Sequence, residues 1–208
     1  RQRRSRQEKE KVLLQQQLLR TQMEPHFIFN TLSAVQSFMR LDKKEDAIKY
    51  LNLFSRLLRS NLELSRENVV PLSEELEALE NYLILQQMRF DDTFHYHITP
   101  PQDQDLSAVM LPPMLIQPYV ENAILHGIDL HIGNGSIDIQ FALSGDILRV
   151  KIQDSGKINS DIPELSHRSL SGAICRERMQ LLGKKASIQI NKSPNAGTTV
   201  ILHIPVTY

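Results

Sequence analysis

Residues 111–127 read LPPMLIQPYVENAILHG, and this stretch decides the expected fold and site more than any other. Two prolines lead into a mostly apolar segment and a glycine closes it, which predicts one buried helix running to His126. Asn122 lies four residues before His126, on the same helical face, and Glu121 lies beside it. Amide and carboxylate oxygens are ligands that Mg²⁺ accepts when it also binds phosphates. The residues alone leave a second interpretation open, a polar stripe that caps a buried helix.

Upstream of this stretch, apolar residues recur at three- and four-residue steps, which is the spacing of a buried helical face. The segment from Arg1 to Thr21 lacks glycine and proline and is rich in good helix formers, so we expect a helix that ends a coiled coil. Ser73 is the expected N-cap of a third helix, with Glu74 and Glu75 at the positive end of its dipole. The apolar positions of the three helices are Phe27, Val35, Phe38 and Met39; Ile48, Leu51, Phe54, Leu58 and Leu62; and Leu76, Leu79 and Leu83.

From Phe94 onward the apolar period changes to two, which predicts strands. Ser144-Gly145-Asp146 lies between two such segments and predicts the turn of a hairpin. A further helix is expected over 169–182. The sequence therefore predicts an α+β fold, with an N-terminal antiparallel helical region and a C-terminal sheet covered by helices. The expected strands span residues 94–98, 137–141, 148–152, 188–190 and 199–204.

Composition and charge narrow the class of protein. The chain has 208 residues, and its Lys+Arg and Asp+Glu counts are both 24, so it lacks the basic excess of a nucleic-acid-binding protein. Cys175 is the only cysteine, which excludes an intramolecular disulfide. No apolar run reaches the roughly 20 residues of a membrane span. A cluster of four arginines within residues 1–6 is typical either of a segment just inside a membrane or of a solvated helix end.

His26 is the first candidate for covalent chemistry. It lies in Glu24-Pro25-His26-Phe27-Ile28-Phe29-Asn30, where an imidazole is surrounded by a proline and apolar residues. A neutral imidazole is a nucleophile near pH 7, and Asn30 lies one helical turn further on, where its amide would orient the ring. A structural histidine explains the spacing equally well.

Residues 25–32, PHFIFNTL, resemble the Pro-His-Phe-Leu-Phe-Asn-x-Leu phosphoacceptor box of the LytS-type sensor histidine kinases. The resemblance implies that His26 accepts a phosphoryl group from ATP and passes it to an aspartate of a response regulator. Residues 111–127 resemble the ATPase motif of the same family almost residue for residue. The implied fold is the Bergerat-type ATP-binding sandwich shared with DNA gyrase.

The same resemblance assigns roles within the ATPase motif. Asn122 would hold Mg²⁺ against the phosphates, and Glu121 and His126 occupy the matching polar positions. Leu125 replaces a lysine that many members carry, so the pocket loses one positive charge.

Two shorter segments resemble further nucleotide boxes of the family. Asp154-Ser155-Gly156 matches the start of Asp-x-Gly-x-Gly, in which the aspartate accepts a hydrogen bond from the adenine amino group, although Ile158 replaces the second glycine. Gly197-Thr198-Thr199 matches the Gly-Thr-x-Val strand that lies behind the adenine.

The glycine-rich lid of the family is the largest departure. Its pattern, Gly-x-Gly-Leu-x-Asn, corresponds here to Ser169-Leu170-Ser171-Gly172-Ala173-Ile174. Ser169, Ser171 and Gly172 are the candidate phosphate contacts through backbone amides and hydroxyls. Ile174 stands where the family has asparagine, so tight closure over ATP is not assured by the sequence.

The expected organisation has three parts: a juxtamembrane coiled-coil helix at 1–20, a dimerisation and phosphoacceptor region at 21–92, and an ATP-binding domain at 93–208. Helices between Leu13 and Leu64 would form a four-helix bundle in a homodimer. The expected partners are a second copy and a response regulator, and no nucleic acid. A membrane-bound sensor region is expected upstream, which would make this the cytoplasmic portion of a bacterial inner-membrane protein.

Two alternatives compete with the kinase. A dimeric signalling scaffold with a degenerate nucleotide site accounts for the altered lid and for Leu125, but it needs neither the His26 box nor Asn122. An ATP-driven clamp shares the pocket without explaining the His26 box. Three further residues are expected to have no such role: His95 and His97 lack a third metal ligand, and Cys175 is expected to be packed inside.

Overall fold

The computed structural model describes residues 25–130, 133–156, 170–193 and 197–208 of the chain. The helix expected over 1–20 and the loop residue Ile158 lie outside these ranges. Among the described residues, no helix combines the length and the apolar character that crossing a bilayer requires.

Within the described residues before 92 there are three helices, as the helical spacing of apolar residues predicts. They are α1 (Pro25–Arg40), α2 (Lys44–Leu64) and α3 (Leu72–Arg89), and α2 packs against both of the others. A short link around Asp42, whose φ is 57°, reverses the chain between α1 and α2. The expected cap of α3 is wrong: Pro71 occupies the N-cap position, so Ser73 lies inside the first turn.

A two-stranded antiparallel sheet ties the start of α3 to the segment before residues 111–127. Strand β1 (Val70–Pro71) pairs with β3 (Met110–Leu111), and the Leu72 amide also donates to the Val109 carbonyl at 2.8 Å. Helix α3 therefore begins beside the entrance to the predicted site.

The main sheet has five strands in the order β2-β4-β5-β7-β6. Only the β2–β4 pairing is parallel; the other three are antiparallel. The expected hairpin is confirmed, with Gly145 at φ 58° in a two-residue turn between β4 and β5. The strands are β2 (Phe94–Thr99), β4 (Gly135–Ser144), β5 (Ile147–Asp154), β6 (Ser187–Ser193) and β7 (Gly197–Pro205).

One hydrophobic core joins the helices to one face of this sheet. Tyr50 and Leu57 of α2 belong to the same buried cluster as Ile139 of β4 and Leu202 of β7. Alternate residues of β4, such as Gln140, face outward. The predicted α+β class is confirmed, while the division near residue 92 stays a prediction because apolar packing is continuous across it.

The helix expected to run from the prolines at 112 and 113 to His126 differs from the observed one. The α-helix, α4, spans only Gln117–Asn122, and the chain continues as a π-helical turn over Ala123–Gly127. Pro118 lies in the first turn of α4, where its missing N–H removes no hydrogen bond. The last helix, α5 (Leu170–Leu181), agrees with the expected range.

Candidate nucleotide site

Asp154 is the centre of the site. It is the last residue of β5 and only 4% exposed, and its Oδ1 accepts the amide N–H of Thr198 at 2.9 Å and that of Gly156 at 3.0 Å. Burial raises the pKa of this carboxyl, and the two amides act in the opposite direction. The side chain is thus an oriented acceptor at the point where β5 ends and β7 begins.

Two glycines pack against this carboxylate so closely that no side chain fits. A Cβ at Gly127 would collide with Oδ2 and Cγ of Asp154, and a Cβ at Gly197 would collide with its Oδ1 and backbone oxygen. Gly197 also has a φ of 75°, a conformation that glycine adopts without strain. The end of the 111–127 stretch, the Asp154 box and the Gly197 strand therefore meet at one carboxyl group.

Helix α4 and the π turn that follows it carry the polar residues of the motif on their less buried side. Val120, Ala123 and Ile124 are buried, whereas Glu121 and Asn122 are half-buried and His126 is exposed. π-Helical turns are rare and occur often at functional sites.

Two residues of this stretch, the apolar Leu125 and the acidic Glu121, determine the charge near this polar surface. Leu125 is 39% exposed, so the position for which the resemblance implies a lysine in many members is an apolar surface here. Burial raises the pKa of the Tyr82 hydroxyl on α3, the nearby charge of Glu121 raises it further, and Arg89 opposes both. Burial also raises the pKa of the Cys175 thiol on α5, and Glu121 again adds to the rise, so this carboxylate is close to both helices.

The remaining adenine-side candidates lie at the same junction. Thr198 and Thr199 are half-buried at the start of β7, and Gly156 has a φ of 79° directly after Asp154. Thr199 pairs with Gln153 of β5 and Asn191 of β6, which places it inside the sheet.

The phosphoacceptor residues lie on the first helix. His26 belongs to α1, but its side chain lies outside the part of the chain that the structure describes. Asn30, one turn further on, is half-buried. Thr31 next to it is 2% exposed, and its side chain hydrogen-bonds Tyr50 of α2. Helix α1 therefore packs against α2 through the side that carries Thr31, next to Asn30.

The predicted lid residues are only partly described. Ser169 lies outside the described residues, and for Ser171 and Gly172 only the backbone, in the first turn of α5, is described. Ile174 is 4% exposed and belongs to the core, so the position expected to hold asparagine is a packing position.

The structure also describes the three residues that were expected to have no functional role. His95 and His97 are exposed on β2, and within the described ranges no three ligating side chains come together. Cys175 is fully buried, with Sγ 3.8 Å from the Met114 oxygen, and burial raises its pKa to about 12.

Sequence reasoning missed two buried charged residues next to the site. Glu75 is 4% exposed and accepts the Met114 amide at 2.9 Å, although it was expected at an open helix end; Arg178 is 6% exposed and donates to the Pro113 oxygen at 2.7 Å. A signal was present, because Glu75 falls on the same helical stripe as Leu72, Leu79 and Leu83.

Comparison with known proteins identifies the family. The family model described as "Histidine kinase" matches residues 14–94. Sensor protein LytS of Staphylococcus haemolyticus is 36% identical over 200 residues, which cover 90% of this chain and 33% of that protein. Sensor histidine kinase YpdA of Escherichia coli is 37% identical over 140 residues, covering 66% of this chain and 24% of that protein.

A solved structure gives the fold independently. The histidine kinase domain of the blue-light activated histidine kinase from Erythrobacter litoralis EL346 aligns with a TM-score of 0.53 at 17% identity, covering 95% of this chain and 94% of that one. The chain spans about a third of the length of the curated relatives it matches. The sequence relatives and the fold agree, and the chain belongs to the LytS-type sensor histidine kinases.

Proposed function

We propose that this chain is the kinase core of a two-component sensor, which phosphorylates its own His26 from ATP and passes the phosphoryl group to an aspartate of a response regulator. The observation that carries the proposal is the convergence of Gly127, Asp154 and Gly197, which brings three motif segments to one buried, oriented carboxylate.

ATP would enter with its adenine at the Asp154 junction. The carboxylate oriented by Thr198 and Gly156 would accept a hydrogen bond from the adenine amino group, with Thr199 close by at the start of β7. The phosphates then extend toward Asn122 and His126, with backbone amides at Ser169, Ser171 and Gly172 as further contacts.

The donor set at the phosphate end fits Mg²⁺. The amide oxygen of Asn122 would hold the ion, because this half-buried side chain is a hard oxygen donor on the polar surface next to the adenine junction. When bound, Mg²⁺ neutralises negative charge on the phosphates. The residues themselves position and orient the substrate.

The transfer itself needs one nucleophile and one proton acceptor. An imidazole nitrogen of His26 bonds to the γ-phosphorus, the bond to the bridging oxygen breaks, and ADP leaves with the electron pair. The imidazole proton passes to a base, for which Glu121 is the candidate, while Asn30 orients the ring. Positioning rather than covalent chemistry accounts for most of the rate.

A homodimer is part of the proposal, because the first two helices leave an apolar surface uncovered. Phe29, Leu32 and Met39 of α1 are 65%, 52% and 52% exposed, and Ile48 and Leu51 of α2 are 61% and 41% exposed. Residues at these spacings share a helical side, and a second copy would cover them as a four-helix bundle. The membrane-bound sensor region upstream and the cytoplasmic location belong to the same proposal.

The second candidate function is a dimeric scaffold with weak or no phosphotransfer. Two observations favour it: exposed Leu125 gives the phosphates no positive charge, and Ile174 is packed into the core instead of serving the lid.

Autophosphorylation separates the two functions. Wild-type chain with γ-labelled ATP and Mg²⁺ is expected to acquire acid-labile label that His26→Gln abolishes. His97→Gln is the matched control, because His97 is an exposed histidine on β2 and the label should be unchanged. Wild-type chain that stays unlabelled while folded and dimeric would establish the scaffold instead.

Asn122→Ala tests the Mg²⁺ assignment. The label should fall by about 100-fold or more while the fold is kept, because one preorganised electrostatic contact is lost. Normal labelling of this variant would remove Asn122 from the mechanism.

A further inference from the structure

The turn that precedes α4 is held by two buried charged side chains. Its central residue, Met114, has a φ of 59°, which is unusual for a residue with a side chain. Glu75 of α3 lies on the amide side of this turn: its Oε2 accepts the Met114 N–H at 2.9 Å, and the amides of Leu115 and Ile116 also hydrogen-bond this carboxylate.

Arg178 of α5 lies on the carbonyl side of the same turn. Its guanidinium donates to the Pro113 oxygen at 2.7 Å and to the Met114 oxygen at 3.5 Å. Glu75 and Arg178 are 4% and 6% exposed, so neither group is left to bulk water. The turn is therefore hydrogen-bonded by Glu75 of α3 on one side and by Arg178 of α5 on the other.

Burying two charged groups costs free energy, so we look for a role that apolar side chains could not fill. Burial raises the pKa of Glu75, while the Met114 amide and the charge of Arg178 favour its ionised form. Hydrophobic replacements of a buried charge pair are often as stable as the pair. The strained Met114 backbone, however, persists only if its surroundings hold it, and such strain is concentrated at functional sites.

The held turn leads directly into the nucleotide-site helix. Gln117 begins α4 one residue after Ile116, and α4 ends at Asn122. Asp154 is fixed separately, by the amides of Thr198 and Gly156. A shift of the turn would therefore move Glu121 and Asn122 relative to a carboxylate that stays in place.

We propose that Glu75 and Arg178 are positioning residues, which fix the 113–116 turn and thereby align Asn122 and Glu121 with the nucleotide held at Asp154. The inference rests on the proposed function of this site. It also connects the site to two other elements, since α3 follows the helices α1 and α2 in the chain and Arg178 belongs to α5.

The test separates nucleotide affinity from alignment. In Glu75→Leu and Arg178→Met, the affinity for ADP without Mg²⁺ should stay within about threefold of wild type, because Asp154 is untouched. The gain in ADP affinity on adding Mg²⁺ should be lost, and kcat of autophosphorylation should fall by about 10- to 100-fold at a nearly unchanged KM for ATP, since a misplaced group loses rate rather than binding. Arg178→Lys, which keeps the charge and one donor, should recover part of both.

Leu79→Ala is the matched control for a packing defect at this place, because Leu79 is 2% exposed one turn after Glu75 on the same helix and carries no charge. The proposal is overturned if Mg²⁺-free ADP affinity falls together with kcat, or if Leu79→Ala reproduces the loss of the Mg²⁺ effect. Should Glu75→Leu fail to fold, Glu75→Gln retains an acceptor oxygen and the same packing. If even the wild type transfers no phosphate, the proposed function fails, and the Mg²⁺ dependence of ADP binding still decides the role of the turn.

Discussion

At the scale of single residues, Asp154 carries its charge in a place nearly closed to water. Two backbone amides compensate one oxygen, and a glycine lies against the other. Burial raises the pKa of this carboxyl in spite of the two amides, so its ionised form is less favourable here than in water. A ligand that donates a further hydrogen bond to this carboxylate would stabilise its ionised form.

Asp154→Asn should change the pH dependence of stability. A folded-state pKa above the unfolded one means that the folded chain binds the proton more tightly, so stability falls as pH rises from about 3.9 through the raised value. Urea unfolding between pH 4 and pH 7 should therefore show the wild type losing stability relative to the variant as pH rises. Parallel pH curves for the two proteins would contradict this assignment.

Gly197→Ala should be more harmful than its conformation alone implies. Gly145 has a similar positive φ, but a Cβ there would meet nothing, so Gly145→Ala measures only the backbone penalty of about 1–2 kcal/mol. Gly197→Ala adds the collision with Asp154 and should also abolish ADP binding, which Gly145→Ala should leave intact. Thermal unfolding and an ADP titration of both variants check this; equal effects would mean that the Asp154 contact is unimportant.

At the scale of elements, helices α1 and α2 each bury one side and expose apolar residues on another. Leu57 and Tyr50 are buried in the core, while Ile48 and Leu51 on the same helix are open. The second apolar side of each helix is the surface that the proposed dimer would cover.

Ile48→Glu should convert the proposed dimer to a folded monomer, because a carboxylate at a 61% exposed apolar position is tolerated in water but not in an apolar interface. Lys49→Glu, on the neighbouring side of the helix, is the control and should remain dimeric. Sedimentation measures the mass, and circular dichroism checks the fold. A dimeric Ile48→Glu would locate the interface elsewhere.

The local sequence pattern predicted helices and strands correctly where neighbouring residues alone determine the structure. The period of two between 137 and 152 and the Gly145 turn gave the hairpin with the correct pairing. The helix after the prolines at 112 and 113 was predicted too long, because contacts from distant Glu75 and Arg178 hold the backbone there in a turn. Glu75 and Arg178 lie 39 and 65 residues away in sequence from the backbone groups that they bind, so the residues around this turn do not reveal the two contacts.

The site could be predicted only in part, for a related reason. Family motifs located Asp154, Gly127 and Gly197, and spacing alone would not have brought them to one carboxyl group. The π turn at Ala123–Gly127 was not predicted, since nothing in its composition differs from an ordinary helix end.

At the scale of the whole molecule, one core extends from α2 to β7. Parts that share a core unfold together, so the helical region and the sheet are expected to lose structure in one transition. Binding at the Asp154 junction should then stabilise the distant helices as well.

ADP at about 100 times its dissociation constant should stabilise the chain by about 2.7 kcal/mol, which for a chain of this size raises Tm by roughly 5–10 °C. Far-ultraviolet circular dichroism and tyrosine fluorescence, which includes Tyr50 of α2 and Tyr82 of α3, should report the same shift. Two separate transitions, of which only one responds to ADP, would show that the two regions unfold independently.

The π turn has a consequence for how this stretch tolerates changes in length. A π turn closes its hydrogen bonds one residue later than an α turn does, so five residues carry the chain from Asn122 to Gly127 in a wider loop. Deleting exposed Leu125 would leave four residues for this turn, which is the number that an ordinary α turn uses, so Gly127 would stay close to Asp154. The loss of one residue here should therefore be tolerated better than the gain of one, which would require a turn wider still.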